Sequence, residues 1–266
     1  MSKISAIVIA KNEEINIINC LKTLLWTNEI ILVDNCSKDK TVSLAKKFTS
    51  KIYATSFKSF AKKRELGQKK ARFEWLFYLD ADERIGRILR DEIKQAVKEE
   101  KYDAYEIPRL NILFGKKMQH GGWYPDYNTR LIKKKKLLGW FGKVHESPKI
   151  NGKIGRLRNP IIHLTHQDTG SCLKSINEWS QIEADLLFKN NHPPVTLFTF
   201  LKVIPLEFFR RLIFKRGFQD GIQGFIESFL QAFNVFIVYT RLWELQKEKL
   251  IKQTYREIEQ KISDVS

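Results

Sequence analysis

The chain has 266 residues, of which 43% are hydrophobic and 29% charged, a balance that excludes a disordered or fibrous protein. That length suffices for one large folded domain or two small ones. Lys and Arg number 47 against 30 Asp and Glu, and the resulting net charge of +17 attracts phosphate groups, whether of nucleic acid, anionic lipid or a phosphorylated substrate.

The first hundred residues alternate between apolar runs and amphipathic segments. The apolar runs predict strands over 4–10, 29–33, 51–55 and 74–79. Apolar stripes predict helices that begin at caps formed by Asn12 and by Ser37 or Asp39, whereas the polar, basic segment before the fourth strand has no predicted element. This alternation predicts a doubly wound parallel sheet, in which ligands bind where the strands end. Asp34 and Asp80 stand at two such ends.

The rest of the chain divides into a mixed α/β part and a helical part. Its patterning predicts a helix over 86–100 and further strands of a mixed sheet over 102–108, 128–133 and 160–165. After residue 170 the pattern is helical. We therefore predict an α/β domain over residues 1–190 and a helical region over 191–266.

Residues 198–243 are rich in aromatic and basic side chains. This pattern is typical of an amphipathic helix in a membrane interface, and also of a helix packed back on the preceding domain. The longest apolar stretch, 222–242, is interrupted by glutamine, glutamate and asparagine side chains, so we predict that it does not span a bilayer. No targeting signal is recognised, and three irregularly spaced cysteines fit a reducing, cytosolic compartment.

A pair of carboxylates, Asp80 and Asp82, follows the apolar strand that ends at Leu79. In extended backbone alternate side chains share a face, so both acids are expected to point into one crevice. Mg²⁺ and Mn²⁺ take oxygen ligands, typically one or two protein carboxylates together with phosphate oxygens and water. The pair, with Asp34 nearby, therefore predicts a site for a metal-bridged diphosphate at the edge of the sheet.

Six ordered segments extend this interpretation. They are 7–14 (IVIAKNEE), 33–41 (VDNCSKDKT), 79–84 (LDADER), 121–131 (GGWYPDYNTRL), 144–146 (VHE) and 217–221 (GFQDG). The first three resemble the family 2 glycosyltransferases, inverting enzymes with a GT-A fold that use nucleotide-sugar donors. The last three resemble the branch of that family that adds glucose to lipopolysaccharide or lipooligosaccharide cores. The resemblance covers most of the chain.

The resemblance implies an architecture. It implies an α/β, GT-A catalytic domain over 1–190, with a nucleotide-sugar half over 1–110, an acceptor half over 111–170, and a mixed central sheet. A helical, membrane-associating region then follows over 191–266.

The resemblance also implies roles for the residues that match the family's motifs. Asp34 is expected to bind the uracil or ribose, in a pocket also lined by Asn12 and Glu14, and Arg64 falls in a segment that contacts the nucleotide. Asp80 is expected to reach the ribose or a metal-bound water, and Asp82 to coordinate Mg²⁺ or Mn²⁺. GT-A enzymes often add a late histidine to the metal site. His163 is therefore a candidate metal ligand, although a lone strand histidine is also typical of a core.

An inverting transfer needs a general base that takes the proton of the acceptor hydroxyl. Glu146 matches the base position of related enzymes and is the single acid beside nine Lys and Arg residues in 131–160. Asp126, in a loop rich in aromatic side chains, is the second candidate. We prefer Glu146.

The same loop supplies candidate acceptor contacts. Trp123 and Tyr124 fit stacking on sugar rings, as does Trp140, but aromatic side chains are as often part of a core. With Arg130 of the same motif, Trp123 and Tyr124 form the candidate acceptor site.

These features predict a non-processive hexosyltransferase. It is expected to move a hexose, glucose by the resemblance, from a UDP-sugar to a lipid-linked oligosaccharide, as a cytoplasmic protein bound peripherally to the inner leaflet of the cytoplasmic membrane. Two rival functions are a nucleotidyltransferase acting on a sugar phosphate and a basic nucleic-acid-binding protein. The first would need a glycine-rich triphosphate loop, which is not recognised here. The second would show a nucleic-acid-binding motif, and we expect no nucleic-acid partner.

Overall fold

A computed structural model describes residues 2–57, 59–142 and 147–263. The chain forms two compact units, residues 1–167 and 168–266. The division falls just before a helix over Thr169–Lys189, whereas the sequence analysis places its domain boundary after that helix.

The first unit is built on a mixed sheet flanked by helices. Its strands are β1 (Ile4–Ala10), β2 (Glu29–Asp34), β3 (Ile52–Ala54), β4 (Trp75–Asp80), β5 (Glu83–Ile85), β6 (Ala104–Leu113), β7 (Lys116–Lys117), β8 (Asp126–Lys133), β9 (Leu137–Phe141), β10 (Ser147–Ile150), β11 (Ile154–Arg156) and β12 (Ile161–Leu164). Its helices are α1 (Ile17–Lys22), α2 (Thr41–Ala45), α3 (Phe60–Lys70) and α4 (Arg87–Glu99).

The order of the strands joins a parallel half to a mixed half, in which β6 pairs antiparallel with β8 and parallel with β12. The path runs β3-β2-β1-β4-β8-β6-β12-β5, with β7 and β11 also paired to β6, while β9 and β10 form a separate hairpin. Strands β3, β2, β1 and β4 are parallel, and β8 joins β4 to β6 antiparallel to both. This mixed sheet, followed by a helical C-terminal region, confirms the predicted α/β fold class.

The parallel half forms the centre of the core. Every residue of β1 is buried, and β4 is buried from Trp75 to Leu79. Strands covered on both faces require such continuous apolar runs. Each fully buried Ile, Leu or Phe stabilises the fold by about 1.5–3 kcal/mol, so this stretch fixes the position of the strand ends.

The register brings the two predicted strand ends to one edge. Ala10 of β1 lies beside Asp34 of β2, and Ile9 lies beside Asp80 of β4. Neighbouring strands are about 4.8 Å apart, so the two aspartates are separated by roughly 10 Å across β1.

Three local predictions are wrong. Helix α2 begins at Thr41 with Lys40 at its N-cap position, so neither Ser37 nor Asp39 is the N-cap residue. Asn12 does not cap a helix: α1 begins at Ile17, and Asn12 has a left-handed backbone with φ 56°. Ala81 and Asp82 form a turn, so Asp80 and Asp82 do not share the face of an extended strand. Side-chain hydrogen bonds to the backbone compete with the predicted conformation at Asn12 and at Asp80. Asn12 Oδ1 accepts from the Lys38 N–H of the loop after β2, and Glu83 accepts from the Asp80 N–H within the same turn.

Helix α3 was not predicted at all. Its sequence is mostly polar, and its buried positions are Ala61, Lys63 and Gly67, so it lacks the large apolar stripe that predicts a helix. Gly67 packs directly on the sheet: a Cβ there would lie 2.4 Å from Ile7 Cγ2. The close approach of Gly67 to the sheet fixes the position of α3, which its own weak amphipathic pattern would not do.

The second unit consists of α5 (Thr169–Lys189), α6 (Leu197–Phe209), a π turn over Arg210–Phe214, a 3₁₀ turn over Gly217–Asp220 and α7 (Gly221–Ser263). Asp168 caps α5 by accepting a hydrogen bond of 2.7 Å from the Ser171 N–H. Ala184, Val195 and Leu242 form its small core. By length and composition alone, the helical segment Gly217–Ser263 could cross a membrane, a test that core helices of soluble proteins also pass. That residues 222–242 do not span a bilayer therefore stays a prediction.

A buried carboxylate at the start of β2 connects three segments of the first unit. Glu29 accepts hydrogen bonds from Ser5 Oγ at 2.6 Å and from the N–H and Nε of Arg72 at 3.0 and 2.9 Å, and it pairs with Lys51. Burial disfavours its charged form, but these hydrogen bonds outweigh that effect and lower the pKa of Glu29 to about 2.

We expect Glu29→Gln to lower the free energy of unfolding by roughly 1–3 kcal/mol at neutral pH, because buried donors lose a charged acceptor. Since the folded-state pKa is lowered, the carboxylate stabilises the fold above about pH 4.5, and this contribution is lost as the pH falls toward 2. Denaturant unfolding at neutral pH and near the folded-state pKa measures both effects. The exposed Glu74→Gln is the matched control. An equal loss for Glu29→Gln at both pH values would contradict the assignment.

Candidate active site

Asp34 ends β2 in a tight turn. Its carboxylate, on a residue 3% exposed, accepts hydrogen bonds from the Ser37 N–H at 3.0 Å and the Ser37 hydroxyl at 2.5 Å. The Asn12 N–H donates to the same Ser37 Oγ at 2.9 Å. Asn12 and Asp34 therefore lie on either side of one serine, as the prediction of a shared pocket requires.

Glu14 and Asn12 connect the loop after β1 to the loop after β2. Asn12 Oδ1 accepts from the Lys38 N–H at 2.8 Å, and Glu14 Oε2 accepts from the Lys40 N–H at 3.0 Å. A cavity of about 500 Å³, within the range of ligand pockets, opens beside this turn. It is lined by Asp34, Val42, Lys46, Thr49, Ser50, Ile52 and Ala54.

Asp80 belongs to a buried cluster of charges at the end of β4. The Nη2 of Arg130, whose side chain is 4% exposed, donates to Asp80 Oδ2 at 2.8 Å and to Glu83 Oε1 at 2.7 Å. Glu83, fully buried, also accepts from the Asp80 N–H at 2.9 Å. One guanidinium thus holds the two acids that flank the turn at 81 and 82.

The two acids of this cluster titrate in opposite directions. Burial opposes the charge of Asp80, but the guanidinium groups of Arg130 and Arg64 outweigh it and hold the pKa of Asp80 well below its usual range. Burial and the neighbouring charge of Asp80 raise the pKa of Glu83 despite the attraction of Arg130. Arg130 and Arg64 therefore favour the charged form of Asp80, whereas burial and the charge of Asp80 disfavour the charged form of Glu83.

Arg64 approaches the cluster from α3. Its Nη2 lies 3.7 Å from Asp80 Oδ1, and its guanidinium lies 4.8 Å from the centre of the Trp140 ring. Its backbone carbonyl accepts a hydrogen bond from the Tyr78 hydroxyl at 3.3 Å. Trp140 is 6% exposed, so it belongs to the core and supports Arg64 instead of presenting a face to a sugar.

Asp82 is held by a different partner. Its Oδ2 lies 3.1 Å from His163 Nε2, and His163 Nδ1 lies 2.6 Å from Asn111 Oδ1. Asn111 in turn donates to the Trp123 carbonyl at 2.9 Å. An accessible carboxylate and an imidazole nitrogen at this spacing are a donor set that fits Mg²⁺ or Mn²⁺, and the Asp82 side chain is 30% exposed.

Both carboxylate oxygens of Asp126 accept hydrogen bonds. Its Oδ2 accepts from Arg109 Nη2 at 2.6 Å and Nε at 2.8 Å, and its Oδ1 accepts from Asn128 Nδ2 at 3.1 Å. Tyr124, in the loop just before Asp126, is half-buried. Glu146, the preferred candidate base, lies outside the described residues.

Three further residues of the site were not predicted: Glu83, Arg109 and Asn111. Arg109 and Asn111 alternate along β6, where the register places them beside Asp126 and His163. The available signal was two polar residues two apart in the apolar C-terminal part of the strand, Ile107–Leu113. Arg130, predicted to contact the acceptor, lies instead in the buried cluster with Asp80 and Glu83.

Known proteins similar to this chain are glycosyltransferases. The family model described as "Glycosyl transferase family 2" matches residues 5–145. An uncharacterized glycosyltransferase of Rickettsia conorii is 28% identical and aligns over 96% of this chain and 95% of its own length. The lipopolysaccharide core biosynthesis glycosyltransferase LpsC of Rhizobium meliloti is 26% identical, over 91% of this chain and 92% of LpsC. Among solved structures, S. aureus TarS 1–349 in complex with UDP has a TM-score of 0.49 and 14% identity, covering 92% of each chain.

We expect Arg130→Met to lower the free energy of unfolding by roughly 3–5 kcal/mol, because two buried carboxylates lose their shared cation. Adding Glu83→Gln to that variant is expected to recover part of the loss, since no uncompensated Glu83 charge then remains. Denaturant unfolding of both single variants and the double variant gives the coupling free energy. Additive effects within about 0.5 kcal/mol would show that the two side chains do not act as a pair.

Proposed function

The chain belongs to glycosyltransferase family 2, and we propose that it transfers a single hexose, glucose, with inversion from a UDP-sugar to a lipopolysaccharide-core-type acceptor. The observation that carries this proposal is that acids from separate segments lie at one sheet edge: Asp34 ends β2, Asp80 ends β4, and Asp82 lies in the turn after β4. Family membership favours this activity over nucleotidyl transfer or nucleic-acid binding.

The donor nucleotide is proposed to lie over the ends of β1 and β2. Asp34 binds the uracil or ribose, and the loop fixed by Asn12 and Glu14 closes that side of the pocket. Arg64, held over Trp140 and close to Asp80, supplies positive charge where the diphosphate reaches the end of β4.

Asp82 and His163 are proposed to hold Mg²⁺ or Mn²⁺, with Asp80 reaching the ribose or a metal-bound water. A bound divalent cation neutralises charge on a diphosphate leaving group. The pairing of His163 with Asn111 supports the role, because a hydrogen bond on one ring nitrogen orients the other toward Asp82. Arg130 and Glu83 position Asp80 through hydrogen bonds from the buried side of the cluster, and they do not contact the donor.

The transfer needs one proton acceptor. The acceptor hydroxyl oxygen bonds to the anomeric carbon on the face opposite the diphosphate, the bond from that carbon to UDP breaks, and the base takes the hydroxyl proton. Both oxygens of Asp126 already accept hydrogen bonds from Arg109 or Asn128, so Asp126 is less available to take a proton. We therefore propose Glu146 as the base, with Asp126 as the alternative.

The acceptor is proposed to be a lipid-linked oligosaccharide at the inner leaflet of the cytoplasmic membrane. The printed name of the Rhizobium meliloti relative, a lipopolysaccharide core glycosyltransferase, supports this class of acceptor. Trp123 and Tyr124, in the loop before β8, are the proposed contacts with its sugar rings. The protein would then act as a peripheral protein on the cytoplasmic side.

We expect Asp82→Ala to lower metal-dependent turnover at least about 100-fold, because the carboxylate proposed to bind the cation is removed. Activity and the donor are measured with Mn²⁺, Mg²⁺ or chelator as the release of UDP from UDP-glucose, UDP-galactose and UDP-N-acetylglucosamine, and as the release of GDP from GDP-mannose. The exposed Asp91→Ala on α4 is the matched control and should retain full turnover. Full activity of Asp82→Ala, or turnover that is unchanged by chelator, would refute the metal site.

A further inference from the structure

The second unit exposes large apolar side chains along a packed pair of helices. The centre of the Phe208 ring of α6 lies 5.9 Å from that of Phe225 and 6.5 Å from that of Phe229, both on α7. The two helices therefore pack against each other. We call the outer surface of this pair and its connecting turns the apolar face. Its principal residues are between 51% and 77% exposed: Leu201, Phe209, Phe214, Phe218, Ile222 and Phe229. An apolar surface of this extent marks an interaction site.

In the first part of α7, polar side chains are buried and large apolar side chains are exposed, the reverse of a helix in a water-soluble protein. Glu227 and Ser228 are 1% and 2% exposed, whereas Phe225 and Phe229 are 47% and 59% exposed. The buried polar groups are bonded internally: Gln231 donates to Glu227 Oε1 at 2.7 Å, and Ser228 donates to the Gly224 carbonyl at 2.7 Å. A helix that faces water has the opposite arrangement, so this surface is suited to an apolar environment.

The segment 217–221, GFQDG, holds the corner of the apolar face rigid. A Cβ on Gly224 would lie 1.9 Å from the Gly217 carbonyl oxygen, and a Cβ on Gly217 would lie 2.8 Å from the Arg211 carbonyl oxygen. Only glycine permits this close approach of backbones. The contact fixes Phe214 and Phe218 at the corner, exposed by 77% and 53%.

The charges around the apolar face are predominantly positive. Residues 197–226 contain five cations, Lys202, Arg210, Arg211, Lys215 and Arg216, and two acids. Of the acids, Asp220 is buried, and Glu207 pairs with Arg210 and Arg211 at 2.6 Å. Burial and the two neighbouring guanidinium groups lower the pKa of Lys215, as expected where positive charges are gathered.

From these observations we infer that the apolar face docks on the surface of a bilayer containing anionic lipid, with its aromatic side chains inserted among the acyl chains and its cations at the phosphate headgroups. This rests on the proposed placement of the enzyme at a membrane and specifies the residues that bind it. An interfacial helix of this kind inserts about 5–10 Å. A second copy is a poor occupant, because each chain carries a net charge of +17 and the same basic border.

The test is cosedimentation of the full chain with vesicles of phosphatidylcholine, with and without phosphatidylglycerol. Wild type should bind the anionic vesicles. The variant Phe214→Ser/Phe218→Ser/Ile222→Ser should bind at least about tenfold more weakly, because three exposed apolar side chains no longer insert. Its matched control replaces three equally exposed apolar residues of the first unit, Leu25→Ser/Ile88→Ser/Leu138→Ser, and should bind as wild type. Lys202→Gln/Lys215→Gln should weaken binding to anionic vesicles by about fivefold per residue.

Three results would overturn the inference. The first is binding that the triple serine variant leaves unchanged. The second is wild-type protein that resists extraction from membranes by alkaline carbonate, which would indicate a spanning helix. The third is a wild-type dimer in light scattering that the same variant converts to monomer without loss of vesicle binding, which would make the face a protein interface.

UDP release measured without vesicles separates this inference from the proposed function. The triple serine variant should keep wild-type turnover. If no nucleotide sugar is turned over while vesicle binding follows the expected pattern, the catalytic proposal fails and the docking surface stands.

Discussion

The site depends on the burial of Arg130 between two carboxylates. An unpaired guanidinium at this depth would cost several kcal/mol, so the fold must supply partners. Strand β8, placed between β4 and β6, brings Arg130 to Asp80 and Glu83. Because these acids precede and follow the turn, bonding both determines the shape of the turn and leaves Asp82 beside His163. The same interaction keeps Asp80 charged.

The two halves of the sheet contribute differently. The parallel half presents strand ends and loop N–H groups around Asp34, which suits a nucleotide. The mixed half presents side chains from within its strands, Arg109 and Asn111 of β6 and Arg130 of β8, which orient the acids. Both kinds of support come from one continuous sheet.

Apolar periodicity was sufficient to predict β1 to its exact residues, Ile4–Ala10, and α4 to within a residue at each end, because burial alone decides these elements. It was insufficient for α3, whose packing depends on Gly67, and for the turn at 81 and 82, whose shape depends on Arg130, a residue distant in sequence. The motifs located Asp34 and Asp80 at the ends of β2 and β4, and Asn12 and Glu14 in a loop bonded to the one after β2, while the roles of these residues stay predictions. They did not reveal Glu83, Arg109 or Asn111, whose partners are set by strand register, nor the inverted polarity of α7.

The most direct test of the account is a crystal structure of the protein with UDP and Mn²⁺, in which anomalous scattering locates the metal. We predict manganese bound by Asp82 and His163, between these side chains and the diphosphate, with the uridine beside Asp34. Manganese or uridine bound away from the ends of β2 and β4, with those three side chains unliganded, would contradict it.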